Sequence, residues 1–145
     1  MYSKSIVLVA LLICLLQHFG SIECAMTLEQ MKKTAVGIRN TCLSKTGASI
    51  ESVDGIKDGK FPEDHDLQCY TQCVMKTIRT FKNGKIDTDM VIKQIDMMMP
   101  VEMQDAARAS ARKCGALVPS DDPCLTTYNY VKCNYAENPS EFFFP

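Results

Sequence analysis

The stretch LQCYTQC, Leu67 to Cys73, sets two cysteines four residues apart among helix formers. Residues at that spacing share a helix face, with Cβ atoms roughly 5–6 Å apart. A disulfide holds its Cβ atoms about 3.8 Å apart. Cys69 and Cys73 are therefore expected not to pair with each other. Thiol redox motifs have two intervening residues, and this pair has three. A zinc site wants about four ligands in short clusters, often with histidine. Here the other cysteines are scattered singly, and His65 is the one histidine beyond the N-terminal segment. No metal or cofactor is expected. The remaining reading is a pair of staples, each cysteine reaching a different helix.

Working outward, the compartment follows from the N-terminus. Lys4 precedes an unbroken apolar run from Ile6 to Leu16. That is the length of a signal-peptide core and too short for a bilayer span. Residues 1–24 are read as a signal peptide and residues 25–145 as one secreted domain with a tail over 137–145. Of eight cysteines, Cys14 and Cys24 leave with the leader, and Cys42, Cys69, Cys73, Cys114, Cys124 and Cys133 remain. An even number in a small secreted chain reads as a disulfide framework. Six cysteines allow fifteen pairings, and spacing alone does not choose among them. The formal net charge is −1, and losing Lys4 and Glu23 leaves it there. Such a balance offers no electrostatic ground for nucleic acid or anionic lipid as partner. Stable membrane insertion is not expected either.

Nearly every segment reads as helix. Thr27 and Gln30 form a capping-box signature ahead of the stripe Leu28, Met31, Ala35, Ile38 and Cys42, which Gly47 stops. A short second helix is expected over 48–57. A third is expected over about 66–81, ended by KNGK through Gly84. Asp87 opens a fourth, which runs to Met99 before Pro100. A fifth covers about 100–114, with the small residues Ala106, Ala107, Ser110 and Ala111 on its inner face. Asp122 and Pro123 start a sixth, to about Ala136. Strand signals are weak. Cys124 and Cys133 lie nine residues apart on it, about 900° of rotation, so this helix can be stapled on both flanks.

The whole cysteine pattern reads C-x26-C-x3-C-x40-C-x9-C-x8-C. It resembles that of the insect odorant-binding proteins of the six-cysteine type, along the length of the secreted domain. MTLEQ, DLQCYTQCV, PVEMQDAARASARKC and the aromatic-Pro end are similar to the LUSH-like branch. The resemblance implies an all-α fold of six helices around an internal apolar cavity, with three interlocked disulfides. The pairing it implies is Cys42–Cys73, Cys69–Cys124 and Cys114–Cys133. It also implies a secreted carrier that takes small hydrophobic odorants or pheromones through sensillar lymph to an olfactory receptor, as a monomer or weak homodimer. Carriage of hydrophobic ligands outside smell, in saliva or reproductive fluid, is the alternative. No enzyme is expected: a disulfide-rich hydrolase would need a Ser-His-Asp constellation or a G-x-S-x-G elbow, and neither is present.

Candidate pocket residues follow from chemistry and from the resemblance together. Methionine re-packs around varied ligands, which selects Met90, Met98, Met99 and Met103 beside Ile95. Successive residues turn about 100°, so Met97, Met98 and Met99 cannot all face one way. Thr71 and Thr80 match the alcohol-contacting hydroxyls of the LUSH-like pattern, while Met75 stands where that pattern has serine. That departure favours a larger or flatter apolar ligand. Phe81 and Ala107 complete the helical candidates. Tyr128 and Tyr130 are two residues apart, so at most one points inward, and Tyr128 is taken as that one. Phe142, Phe143 and Phe144 are too apolar for open water and are expected to fold back as a lid. His65, in the acidic run EDHD, is weighed as a pH sensor against the plainer reading of a solvated loop. Glu141 and the chain-terminal carboxylate are its rivals.

Overall fold

A computed structural model describes residues 26–145. The signal peptide expected over 1–24, with Cys14 and Cys24, lies outside the described residues. Among the described residues there are six α-helices: α1 (Leu28–Thr46), α2 (Ile50–Gly55), α3 (His65–Thr77), α4 (Thr88–Met98), α5 (Val101–Gly115) and α6 (Pro123–Glu137). A 3-10 turn, Ile56–Asp58, extends α2. Among the described residues no helix is long and apolar enough to cross a membrane.

Local chemistry explains the helix ends. The Gln30 amide N–H donates to the Thr27 hydroxyl at 3.2 Å, and the Thr27 N–H donates back to Gln30 Oε1 at 2.9 Å. Gly47 leaves α1 in the left-handed region, with φ of 76°, where a Cβ is disfavoured. Asp64, Asp87 and Asp122 each accept from first-turn N–H groups of α3, α4 and α6. Pro123 sits at the first position of α6, where its missing N–H costs nothing.

The third helix stops at Thr77, short of the expected Phe81. Arg79 turns left-handed at φ 61°, and the Thr80 N–H closes onto Met75 O at 2.8 Å. A two-residue antiparallel hairpin follows, β1 (Phe81–Lys82) and β2 (Lys85–Ile86), with Phe81 opposite Ile86. Its turn is Asn83-Gly84, at φ 52° and 76°. Two successive positive φ angles are the requirement of a type I′ turn, which Asn-Gly meets best. KNGK is thus a hairpin turn, not a helix stop.

The three disulfides join Cys42–Cys73, Cys69–Cys124 and Cys114–Cys133, with Cα separations of 5.6, 4.5 and 5.7 Å. Cys69 and Cys73 do reach different helices. The bridges link α1 to α3, α3 to α6 and α6 to α5. Leu67, Tyr70 and Val74 of α3 are sealed in the middle of this frame, against Val131 of α6.

Neither α2 nor α4 carries a bridge. α4 is hooked to α5 by polar contacts instead. The buried Gln104 amide donates to Met99 O at 3.0 Å and Asp96 O at 3.3 Å. Arg108 pairs with the Asp96 carboxylate. Gln104→Leu leaves those end carbonyls without a donor. We expect it to lower unfolding free energy by about 1–2 kcal/mol, read from urea denaturation. An unchanged midpoint would mean the α4–α5 corner is held by packing alone.

Candidate ligand-binding site

The helices do not close on one another. A cavity of about 210 Å³ lies between α1, α3, α4, α5 and α6, and the C-terminal tail completes its wall. α1 lends Met31, Ala35 and Ile38, at spacings of four and three. α4 lends Val91, Gln94, Ile95 and Met98. α5 lends Ala107, Ser110 and Ala111, whose small side chains leave the space open. α6 lends Tyr130, Val131 and Asn134. The same periodicity that makes each helix amphipathic aims one stripe of each at this space.

Of the residues selected from sequence, Met75, Thr80, Ile95, Met98, Met99, Ala107, Phe142, Phe143 and Phe144 come together on the lining. Met97, one step from Met98, is 41% exposed. Five others do not reach the cavity. Thr71 faces α6, donating to Gln68 O at 2.7 Å and lying 2.9 Å from the Thr127 hydroxyl. Phe81 is spent in the core beside the hairpin. Met90 is about 100° round α4 from Val91, off the stripe. Met103 is one turn before Ala107 on α5, about 6 Å down the axis. Tyr128 points the other way altogether: its hydroxyl donates to Pro62 O at 2.6 Å, and its ring meets Phe61 edge-on at 5.7 Å.

Tyr130, two residues on from Tyr128 and so about 200° round α6, takes the inward place. Ser110 and Asn134 accompany it. Sequence reasoning placed Ser110 on the inner face of its helix without selecting it, and missed Tyr130 and Asn134 as lining residues, together with the α1 stripe, which reads equally well as ordinary core. Burial pushes the Tyr130 phenol up to about 12, against a hydrogen bond from Asn134 that favours the phenolate. The side chain is therefore a neutral donor at any physiological pH. Thr80 also lines the space, but its hydroxyl donates to Met75 O at 3.2 Å. The lining is otherwise mostly carbon.

The tail folds back over the helices. The Tyr70 hydroxyl donates to Pro145 O at 2.6 Å. Phe144 meets the Tyr70 ring at 6.4 Å, and Phe142 meets Tyr135 at 5.3 Å, both edge-on. Burial pushes the Tyr70 phenol up to about 12, with Arg39 opposing and Asp54 adding to the rise. That phenol stays protonated, and the contact with Pro145 is intact across the physiological range.

His65 is the first residue of α3, not part of a loop. Its Nδ1 lies 3.8 Å from Asp122, its side chain is 69% exposed, and it does not touch the cavity. With Cys69 and Cys124 it forms a close cluster of metal-ligand atom types. Both sulfurs are bonded to each other, so no thiolate is there to hold a metal.

The model of the PBP/GOBP family matches residues 24–137. General odorant-binding protein 72 of Anopheles gambiae is 33% identical over 122 residues, covering 83% of this chain and all of that one. Apis mellifera odorant binding protein 5 is similar in structure at a TM-score of 0.80 and 45% identity, covering 83% of this chain and 99% of that one. Odorant binding protein 4 of Chrysopa pallens gives 0.77 and 32%, again over 83% and 99%.

Proposed function

The chain belongs to the PBP/GOBP family, a family of carriers for hydrophobic ligands and not of enzymes, and on that premise we propose the following for it. The protein is secreted after removal of residues 1–24. It takes up one small hydrophobic volatile, an odorant or pheromone, and moves it through aqueous sensillar lymph to an olfactory receptor. The observation that carries this reading is the cavity of about 210 Å³ with its mostly carbon lining. An apolar cavity of ~150 Å³ already takes up benzene, so a somewhat larger molecule fits here. An unfilled cavity of this size costs about 5 kcal/mol, at roughly 24 cal/mol per Å³. A fold stapled three times tolerates such a cost, and a bound ligand recovers part of it.

Micromolar binding needs about 8 kcal/mol. A ligand of about a dozen heavy atoms supplies that at ~0.7 kcal/mol per atom. Displacement of a fluorescent apolar probe from the oxidised protein tests the reading, with volatile esters, ketones, alcohols and aromatics as competitors. We expect micromolar displacement by one class. No probe uptake by correctly bridged protein would overturn the carrier reading.

The site itself is tested by filling it. Ala107→Phe places a ring in the cavity from its α5 wall. Probe affinity is expected to fall more than about tenfold, which is ~1.4 kcal/mol. The melting temperature should hold or rise, since the void is filled rather than enlarged. Unchanged affinity would put the ligand elsewhere.

A further inference from the structure

The polar atoms of the lining are not all equivalent. Thr34 and Thr80 donate their hydroxyl protons to backbone carbonyls of Gln30 and Met75. Their donor capacity is spent. On the wall between α5 and α6 the situation differs. The Ser110 hydroxyl donates to Asn134 Oδ1 at 2.7 Å, and Asn134 Nδ2 donates to Tyr130 O at 2.8 Å. Ser110 and Tyr130 are each only 6% exposed.

The Tyr130 hydroxyl donates none of the hydrogen bonds found among the described residues. Yet no side-chain nitrogen or oxygen there is both sealed off and without a partner. Tyr130 lines the cavity, so a ligand seated there can take up that hydroxyl proton. Ser110 and the Tyr130 backbone carbonyl thus hold the Asn134 amide in place, and the Tyr130 phenol stands beside that pair with its O–H unspent. A buried donor without a partner is costly, and a ligand oxygen relieves it.

We propose that Tyr130, backed by Asn134 and Ser110, is the specificity-determining pole of the cavity, and that it selects apolar molecules carrying a carbonyl. This rests on the carrier reading. A ketone or ester oxygen only accepts, so it satisfies the phenol and asks for nothing more. An alcohol accepts equally well, but it brings a proton of its own. Asn134 Oδ1 and the Tyr130 carbonyl already receive Ser110 and Asn134, so that proton competes there for acceptors already in use. A hydrocarbon leaves the phenol unpaired. The order of affinity at equal chain length is ketone, then alcohol, then alkane.

The experiment compares methyl heptyl ketone, the alcohol made by its reduction, and nonane on wild type, Tyr130→Phe and Gln94→Leu. Tyr130→Phe keeps the ring and removes only the hydroxyl. Gln94→Leu removes a different amide side chain, from the α4 side of the lining. One hydrogen bond in a dry site corresponds to about a tenfold change in affinity. The wild type should prefer ketone over nonane by about that factor, and Tyr130→Phe should abolish the preference while Gln94→Leu keeps it. The carbonyl stretch of the bound ketone gives a second readout. It should lie below its position in alkane solvent for the wild type, and return to it in Tyr130→Phe. Loss of the preference in Gln94→Leu rather than Tyr130→Phe overturns the proposal, as does tighter binding of the alcohol than of the ketone. If nonane binds and the ketone gains nothing, the proposal alone falls. If none of the three binds, the carrier reading falls first and takes the proposal with it.

Discussion

Replacing Cys69 and Cys124 together by serine is expected to destabilise the fold by about 4 kcal/mol, the largest loss of the three bridges. The bridge closes a separation of 55 residues, against 31 for Cys42–Cys73 and 19 for Cys114–Cys133. A longer closed loop removes more conformational freedom from the unfolded chain. The entropic estimate gives about 4.2, 3.7 and 3.2 kcal/mol in that order. Position adds to the argument, because Cys69–Cys124 is the middle link of the series α1–α3–α6–α5. Chemical denaturation of the three paired serine variants measures the ranking. A reversed order would mean that native packing around each bridge outweighs the unfolded-state effect.

Deleting residues 140–145 is expected to weaken ligand binding between about tenfold and a hundredfold, which is roughly 1.4–2.8 kcal/mol. Phe142, Phe143, Phe144 and Pro145 all form part of the cavity wall. Without them one side opens to water, and the apolar area withdrawn from solvent on binding shrinks. Burying a single Phe side chain is worth roughly 1.5–3 kcal/mol, so the magnitude is set by about one such contact. On the lid reading the change should fall mainly on dissociation. Stopped-flow displacement and equilibrium titration separate the two rates. Unchanged affinity with an unchanged off-rate would reduce the tail to a surface covering. Tyr70→Phe is the milder form of the same test, since it removes only the hydroxyl that donates to Pro145.

These two expectations meet in one view of how the fold divides its work. The helices that carry the bridges, α1, α3, α5 and α6, make a frame whose relative positions are covalently limited. α4 and the tail close the cavity with no bridge among the described residues. α4 supplies Met98, and Met99 follows it, side chains that adapt their shape at low cost. A carrier needs a frame that does not collapse and a wall that yields.

Much of this was legible along the chain. Thr27 with Gln30, Asp87, and Asp122 with Pro123 each announce a helix start through hydrogen bonds made within a turn. The impossibility of a Cys69–Cys73 bridge follows from helix geometry. The pairing itself came from the resemblance to the odorant-binding family and not from spacing. The Asn83-Gly84 hairpin was also readable, since both residues tolerate positive φ, but Gly84 serves equally as a helix stop. Tyr128 and Tyr130 show where the signal ends. Periodicity says they face apart, and nothing local says which faces a void.

The sequence by itself determined the helices, their apolar stripes and a cysteine framework consistent with one family, because all of these rest on interactions within a few residues or on a pattern of spacings. Only the tertiary structure decided that Met31, Ala35 and Ile38 border a cavity rather than a filled core, that Thr71 is spent against Thr127, and that Tyr130 rather than Tyr128 lines the cavity. The physical reason is that a cavity is a place where facing stripes fail to touch. Its existence depends on the distances between helices far apart in the chain, and no single helix encodes those distances.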